Sequence, residues 1–342
     1  MNVILTGGTG MIGKKVLGAL LTDKRLDVQS VQVLSRQTEA KLKALYPMFR
    51  DTRVEVRSRI ADISAVDGGV VVNLAGESIA DKRWTDARKK QLIESRVSLT
   101  NELFDHLSQV NSLPHTLISA SAIGYYGIDQ PNEIADEKSA QGKGFSAKLC
   151  ADWEQAALRF ASSKTSTKGL QENAVLEQTR VHIMRLGIVF ASAKEGGFIG
   201  KMRPIFKVGL GGPIGDGSQW INWVYIDNVV KFVIEKCLAG KNKDEAEGSR
   251  STTFTNLVSN AEIRQKQFAS TYAELLNRPS IIPTPAFTMR LAFGEMADEL
   301  LLNGKRVRTQ LHDSEASSNY TSIAEESALE VLKRALRRCE AK

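Results

Sequence analysis

Three glycines spaced by three open the chain. Residues 5–13 read LTGGTGMIG, placing Gly7, Gly10 and Gly13 between the apolar run NVILT and the helical pattern MIGKKVLGALLT, with Thr9, Met11 and Ile12 between them. At a strand-to-helix turn the first glycine admits a backbone angle closed to other residues. The second removes a side chain where a pyrophosphate must approach, and the third lets the helix pack close to the strand. The helix N-terminus then presents N–H groups and a partial positive charge to phosphates. The plainer alternative is a tight turn with no ligand. The next chemistry lies at the end of the second apolar run, Leu34-Ser35-Arg36. A site for NAD has Asp or Glu there to bond the ribose hydroxyls. A serine hydroxyl and a guanidinium suit a 2′-phosphate instead, through charge-assisted hydrogen bonds. The expectation is therefore a dinucleotide site preferring NADP(H), the alternative being that Arg36 is a solvated loop residue.

The elements that would hold these residues alternate along the first two-thirds of the chain. Strand patterns occur at NVILT, 28–35, 53–57, 68–76, 115–122 and 181–190, and helical patterns notably at 85–110 and 145–161. The run GGVVVNLAG (68–76) is continuously apolar, as a strand buried on both faces requires. This alternation predicts an α/β fold, a Rossmann-type doubly wound parallel sheet with a small C-terminal substrate lobe. Residues 1–190 form the NADP-binding Rossmann domain, with the polar stretch 162–179 as an insertion. Residues 191–342 hold the last strands, interleaved with the lobe. The loop 209–217 and the charged loop 239–251 fall here, and Asp227 opens a helix as its N-cap.

Composition narrows the class. With 42% hydrophobic and 25% charged residues the chain can bury a sizeable core. Cys150, Cys237 and Cys339 are odd in number and far apart, which predicts neither a disulfide framework nor a zinc site and favours a reducing, cytoplasmic setting. His106, His115, His182 and His312 show no ligand spacing, so no metal is expected. No signal segment or membrane span is expected. The net charge of +7 comes without an arginine-rich tract or interleaved aromatics, which argues against nucleic acid and fits a phosphorylated small molecule.

TGGTGMIG, NLAG (73–76) and SASAIGYYG (119–127) together resemble the extended short-chain dehydrogenase/reductase superfamily. Three further segments are similar to its nucleoside-diphosphate-sugar epimerase-like subgroup, family 39U. They are GESIADKRWTDARKKQLIESRV (76–97), GLGGPIGDGSQWINWVYIDNVV (209–230) and RLAFGEMADELLLNGKRV (290–307). The resemblance covers nearly the whole chain except 162–179. It implies that Leu74, Ala75 and Gly76 pass beneath the adenine side of the cofactor. It puts Gln91 and Arg96 near the cofactor, and Val189 where such folds approach the nicotinamide. The loop 209–217, with Trp220 and Trp223, lies where members close over a substrate. Arg96 also stands at the edge of an apolar helical stripe, where a buried-side arginine needs an anion or a rim salt bridge.

Members that transfer hydride use a Tyr-x-x-x-Lys pair and a serine. Here Lys148 is present, but Gly144 stands where the tyrosine would be. Ser121 is the candidate serine. Tyr125 or Tyr126 could supply the phenol, or both could simply wall the pocket, and Lys148 could equally be a snorkelling helix residue. The resemblance thus implies an NADP(H)-dependent oxidoreductase or epimerase acting on a small polar molecule, a sugar nucleotide among the candidates. Gly144 keeps open a second reading, a catalytically weak NADP(H)-binding sensor or scaffold. The chain is expected to be a monomer or homodimer.

Overall fold

The structure, a computed structural model, describes residues 1–66, 68–129, 133–162, 179–239, 252–310 and 327–341. Its strands are β1 (Asn2–Thr6), β2 (Ser30–Leu34), β3 (Val54–Arg57), β4 (Val70–Asn73), β5 (Thr116–Ala122), β6 (Ile134–Ala135), β7 (Arg180–Leu186), β8 (Ile188–Phe190), β9 (Trp220–Ile221), β10 (Trp223–Tyr225), β11 (Thr252–Leu257), β12 (Ile263–Arg264) and β13 (Arg306–Val307). The main helices are α1 (Met11–Thr22), α2 (Glu39–Leu45), α3 (Asp86–Ile93), α4 (Leu99–Gln109), α5 (Phe145–Ser162), α6 (Gly197–Lys207), α7 (Ile226–Ala239), α8 (Gln265–Leu275) and α9 (Ala286–Phe293), with a last helix at Ala328–Ala341.

Seven strands form one parallel sheet in the order β11-β7-β5-β4-β1-β2-β3. The order reverses between β1 and β4, and in open α/β sheets ligands bind at the carboxyl ends of the strands beside that reversal. Alternation across the sheet explains the apolar runs. Val3 and Leu5 of β1, with Val70 and Val72 of β4, face a core shared with α1 and α7 through Val16, Leu17, Leu20, Val229 and Phe232. Ile4 and Val71 face the opposite core, made with α4 and α5 by Leu103, Leu107, Ala157 and Phe160. Both faces are covered, so the doubly wound reading of the sequence holds.

Several boundaries differ from the sequence reading. The run 181–190 is two strands, not one. It divides at Gly187, whose Cα passes so close to the Asn222 carbonyl that a Cβ would lie 2.7 Å from that oxygen. After this break β8 leaves the main sheet and pairs with β10. The seventh strand, β11, escaped the pattern because TTFTNL mixes threonine and asparagine with two apolar residues at the sheet edge. The single helix expected over 85–110 is α3 and α4 joined by a π turn at Glu94–Ser98. Asp227 lies in the first turn of α7 rather than ahead of it. Positions 163–178 of the insertion, 240–251 of the charged loop and His312 fall outside the described residues.

A second core lies beside the sheet, where Phe190, Trp223, Phe206, Phe268 and Tyr272 meet Leu332 and Leu336 of the last helix. The C-terminal part also reaches back into the first half of the chain, for β13 pairs in parallel with β6. Phe160 is fully buried and meets Phe104 edge-on, with ring centroids 5.1 Å apart. Phe160→Ala is expected to cost about 3–5 kcal/mol in urea denaturation. An unchanged midpoint would mean that α5 does not pack on the sheet as described.

Candidate functional site

The glycine turn is shaped by contact rather than looseness. Gly7 has φ +69°, and a Cβ there would lie 2.4 Å from the Leu74 carbonyl oxygen. A Cβ on Gly13 would lie 2.1 Å from the carbonyl oxygen of Gly7 itself. Gly10 is different: a Cβ there would meet only that same carbonyl, at 3.3 Å, and otherwise open space. Gly10 precedes α1, whose first N–H groups have no partner within the helix. The turn therefore presents a positive helix end and an open approach. A buried tie holds the facing NLAG segment: Thr6 Oγ1 donates to Asn73 Oδ1 (2.6 Å) and accepts the Ala75 N–H (3.2 Å), while Asn73 Nδ2 donates to Thr100 Oγ1 (2.9 Å).

Between these segments runs a cleft of about 860 Å³. Its lining includes Gly7, Thr9, Gly10, Ser35, Arg36, Leu74, Ala75, Gly76 and Gln91, all expected from the sequence. Met11 and Ile12 belong to the first turn of α1, and Ile12 turns into the core. Val189 sits on β8 against the same core. Arg96 lies directly beneath Gly76, where a Cβ would meet its guanidinium carbon at 2.9 Å. It finds carbonyls rather than an acid: Nη2 donates to Glu77 O (2.7 Å) and Nη1 to Leu92 O (3.3 Å), with the guanidinium 5.4 Å from the Trp153 ring. Burial holds its pKa below the ordinary arginine value. The π turn places it there and also lets Ser95 Oγ accept the Glu77 N–H (3.1 Å).

The sequence reading missed Ser58, Arg59, Ile60 and Ala61, which line the cleft after β3, and Glu77, which lines it after NLAG. The first four carry no residue pattern of their own. Glu77 is the first residue after NLAG, and its charge beside that motif is the signal that could have found it. Its carboxylate binds Arg36 Nη1 (3.1 Å) and Arg88 Nη1, and both arginines hold it below the usual carboxylate range.

The residues expected to do chemistry are placed elsewhere. None lines this cleft. Ser121 is buried on the α5 side of β5 and donates to Glu154 Oε1 (2.6 Å). Glu154 is gripped on both oxygens by the buried Arg185, at 2.9 and 2.8 Å. Arg185 Nη1 also donates to the Tyr126 hydroxyl (2.9 Å), which donates to Asn256 Oδ1 (2.7 Å). Burial pushes the Tyr126 phenol up to about 12. The Tyr125 ring stacks on the Arg185 guanidinium, 3.6 Å from its carbon. Lys148 points outward, 73% exposed, and pairs with Asp152 one turn on (2.8 Å). Trp223 is a core residue, and Trp220 stacks on Arg264. The loop 209–217 is bonded to the lobe through Thr284 N to Pro213 O and Gly215 N to Thr284 O.

The place of the missing tyrosine is filled. Glu299, from the C-terminal lobe, accepts the N–H groups of Phe145 and Ser146 (both 2.8 Å) and so caps α5. Gly144 has φ +106°, and a Cβ there would lie 2.7 Å from Glu299 Oε1. Trp84, Leu92, Leu149 of α5 and Met296 of the lobe pack in one cluster, and the Lys89–Glu295 ion pair ties the lobe to α3. Gly144→Ala is expected to cost about 2–4 kcal/mol through positive φ and crowding. Glu299→Ala should cost about 0.5–2 kcal/mol as a lost cap. The double variant should lose less than the sum, because the crowding vanishes with the carboxylate. Strict additivity in thermal or urea unfolding would show that the two do not touch.

Among the described residues no helix is long and apolar enough to cross a membrane, and no group of three His, Cys, Asp or Glu residues could hold a metal ion. Residues 3–247 match the family described as NAD dependent epimerase/dehydratase. The chain is 31% identical over 310 residues to the epimerase family protein SDR39U1 homolog, chloroplastic, of Arabidopsis thaliana, covering 90% of this chain and 80% of that one. It is 32% identical over 304 residues to the epimerase family protein Mb2239 of Mycobacterium bovis, covering 89% and 88%. Among solved structures it is similar to human epimerase family protein SDR39U1 (isoform 2) with NADPH, at TM-score 0.73 and 26% identity, covering 98% of this chain and 99% of that one. With its parallel sheet, its glycine turn at the strand reversal and these likenesses over most of its length, the chain belongs to the NAD dependent epimerase/dehydratase family.

Proposed function

We propose that the cleft binds NADP(H) and that the protein is an oxidoreductase or epimerase acting on a small polar substrate, with a nucleotide sugar the first candidate. One observation carries the reading. The N-terminus of α1 opens beside Gly10 onto a cleft whose β2 end bears Ser35 and a guanidinium, Arg36, that is 88% exposed. Thr9, Gly10 and the first N–H groups of α1 would hold the pyrophosphate. Ser35 and Arg36 would hold the 2′-phosphate. Leu74, Ala75 and Gly76 would form the wall against the adenosine, with Arg96 stiffening that wall from below. When bound, the cofactor supplies hydride transfer at its nicotinamide ring. The human relative solved with NADPH supports the choice of cofactor. The sequence resemblance to the nucleoside-diphosphate-sugar epimerase-like subgroup, and nothing in this cleft, supports the choice of a nucleotide sugar. We place the protein in a reducing, cytoplasmic setting, on the odd number and wide spacing of its three cysteines, all of them buried.

A second reading, a weakly catalytic NADP(H)-binding sensor or scaffold, is favoured by a separate observation. Glu299 fills the tyrosine's place, Tyr126 spends its hydroxyl on Arg185 and Asn256, and Lys148 pairs with Asp152. In this reading the lobe is packed for rigidity and the cleft reports the redox state of the cofactor pool.

Arg36→Glu is expected to weaken NADPH binding by about 10²-fold while changing NADH binding little, measured by nucleotide fluorescence. Equal losses for both nucleotides would show that the 2′-phosphate is not read at Arg36. The enzyme reading in its tyrosine form further expects Tyr125→Phe or Tyr126→Phe to reduce turnover by about 10²-fold. Turnover unchanged in both, and in the double variant, leaves the sensor reading standing.

A further inference from the structure

We propose that Glu77 sets how strongly the cleft prefers NADPH over NADH, by competing with the 2′-phosphate for Arg36. The inference rests on the reading of the cleft as an NADP(H) site and adds the residue that tunes it.

Glu77 is held from two sides by very different arginines. Arg88 is only 6% exposed and is tied down further, donating to Ser78 O (2.7 Å) and Gln91 Oε1 (3.1 Å). It fixes one oxygen of the Glu77 carboxylate. The other oxygen faces Arg36 at 3.1 Å, both residues lining the cleft, and Arg36 is 88% exposed. An exposed pair of this kind is weak, so Arg36 can leave it for a stronger anion. Glu77 cannot follow, because Arg88 and the Ser95 hydroxyl on its own N–H keep it in place. A 2′-phosphate bonded to Arg36 must therefore stand close to a fixed carboxylate, and like charges at that range repel.

NADH meets the same residue differently. Its ribose 2′-hydroxyl is a donor, and a carboxylate accepts from it. In a site for NAD that acid comes from the end of the second strand. Here β2 ends without one, and Glu77 supplies a carboxylate to the same corner from 41 residues further along the chain. The corner thus holds both a cation suited to a 2′-phosphate and an acid suited to a 2′-hydroxyl, and the two neutralise each other until a nucleotide arrives. Removing the acid changes both terms in one direction: NADPH loses a repulsion and NADH loses an acceptor.

The test is to titrate wild type, Glu77→Gln and Arg36→Gln with NADPH and with NADH separately, by nucleotide fluorescence at fixed ionic strength. In Glu77→Gln the ratio of the NADH Kd to the NADPH Kd should rise at least about fivefold, with NADPH itself binding more tightly. In Arg36→Gln the ratio should fall. A ratio within twofold of wild type in Glu77→Gln, or a lower one, overturns the role of Glu77 and leaves cofactor binding intact. Failure of the wild type to bind either nucleotide overturns the reading of the cleft, and this inference with it. Glu77→Gln leaves the buried Arg88 without its carboxylate and could fail to fold. Glu77→Gln combined with Arg88→Met removes both charges together, which buried pairs tolerate, and carries the same expectation.

Discussion

The site depends on two main-chain carbonyls that leave no space beside them. The oxygen of Leu74 lies where a side chain on Gly7 would start, and the oxygen of Gly7 lies where one on Gly13 would start. These contacts bring the ends of β1 and β4 and the first turn of α1 into close backbone contact. The helix end then points into the gap at the strand reversal, and its N–H groups are held there by the main chain alone. Thr6, Asn73 and Thr100 complete the frame with buried hydrogen bonds, so the two loops cannot drift apart without leaving polar groups unpaired. A corner built from backbone in this way needs few side chains of its own. That is why Gly10, which touches almost nothing, sits at its centre.

The rest of the molecule treats its reactive residue types in the opposite way. Ser121, Glu154, Arg185, Tyr126 and Asn256 form one buried chain across β5, α5, β7 and β11. A buried ion pair is tolerated only when its remaining hydrogen-bonding capacity is used, and the hydroxyls of Ser121 and Tyr126 use it. The tyrosine of the superfamily's Tyr-x-x-x-Lys pair, absent here at Gly144, gives way to a carboxylate cap. Glu299 joins the C-terminal lobe to the start of α5 and demands a glycine at 144. The cleft beside the glycine turn is open, and its turn is made of backbone. The region around Ser121, Tyr126 and Gly144 is dense and made of side chains satisfying one another.

Much of this is legible in the residues alone. Parallel strands buried on both faces follow from Val70–Val72, and the first strand, turn and helix follow from NVILT and the glycine spacing. The absence of an acid at the end of β2 is a property of Leu34, Ser35 and Arg36 alone. The edge strand β11 was not legible, because TTFTNL lacks a continuous apolar run and its pairing with β7 is a long-range event. The break at Gly187 was not legible either, since it is set by a carbonyl from the loop between β9 and β10.

The sequence by itself determined the elements whose residues act through local geometry: the glycine turn, the helix behind it, the buried strands and the residue types at the end of β2. Only the tertiary structure decided which charged groups meet. Glu77 reaches Arg36, Glu154 reaches Arg185 and Glu299 reaches Gly144 from 41, 31 and about 150 residues away. The physical reason is range. Backbone preferences and hydrophobic periodicity are written in neighbouring residues, whereas an ion pair or a cap forms between groups that only the folded chain brings within a few ångströms.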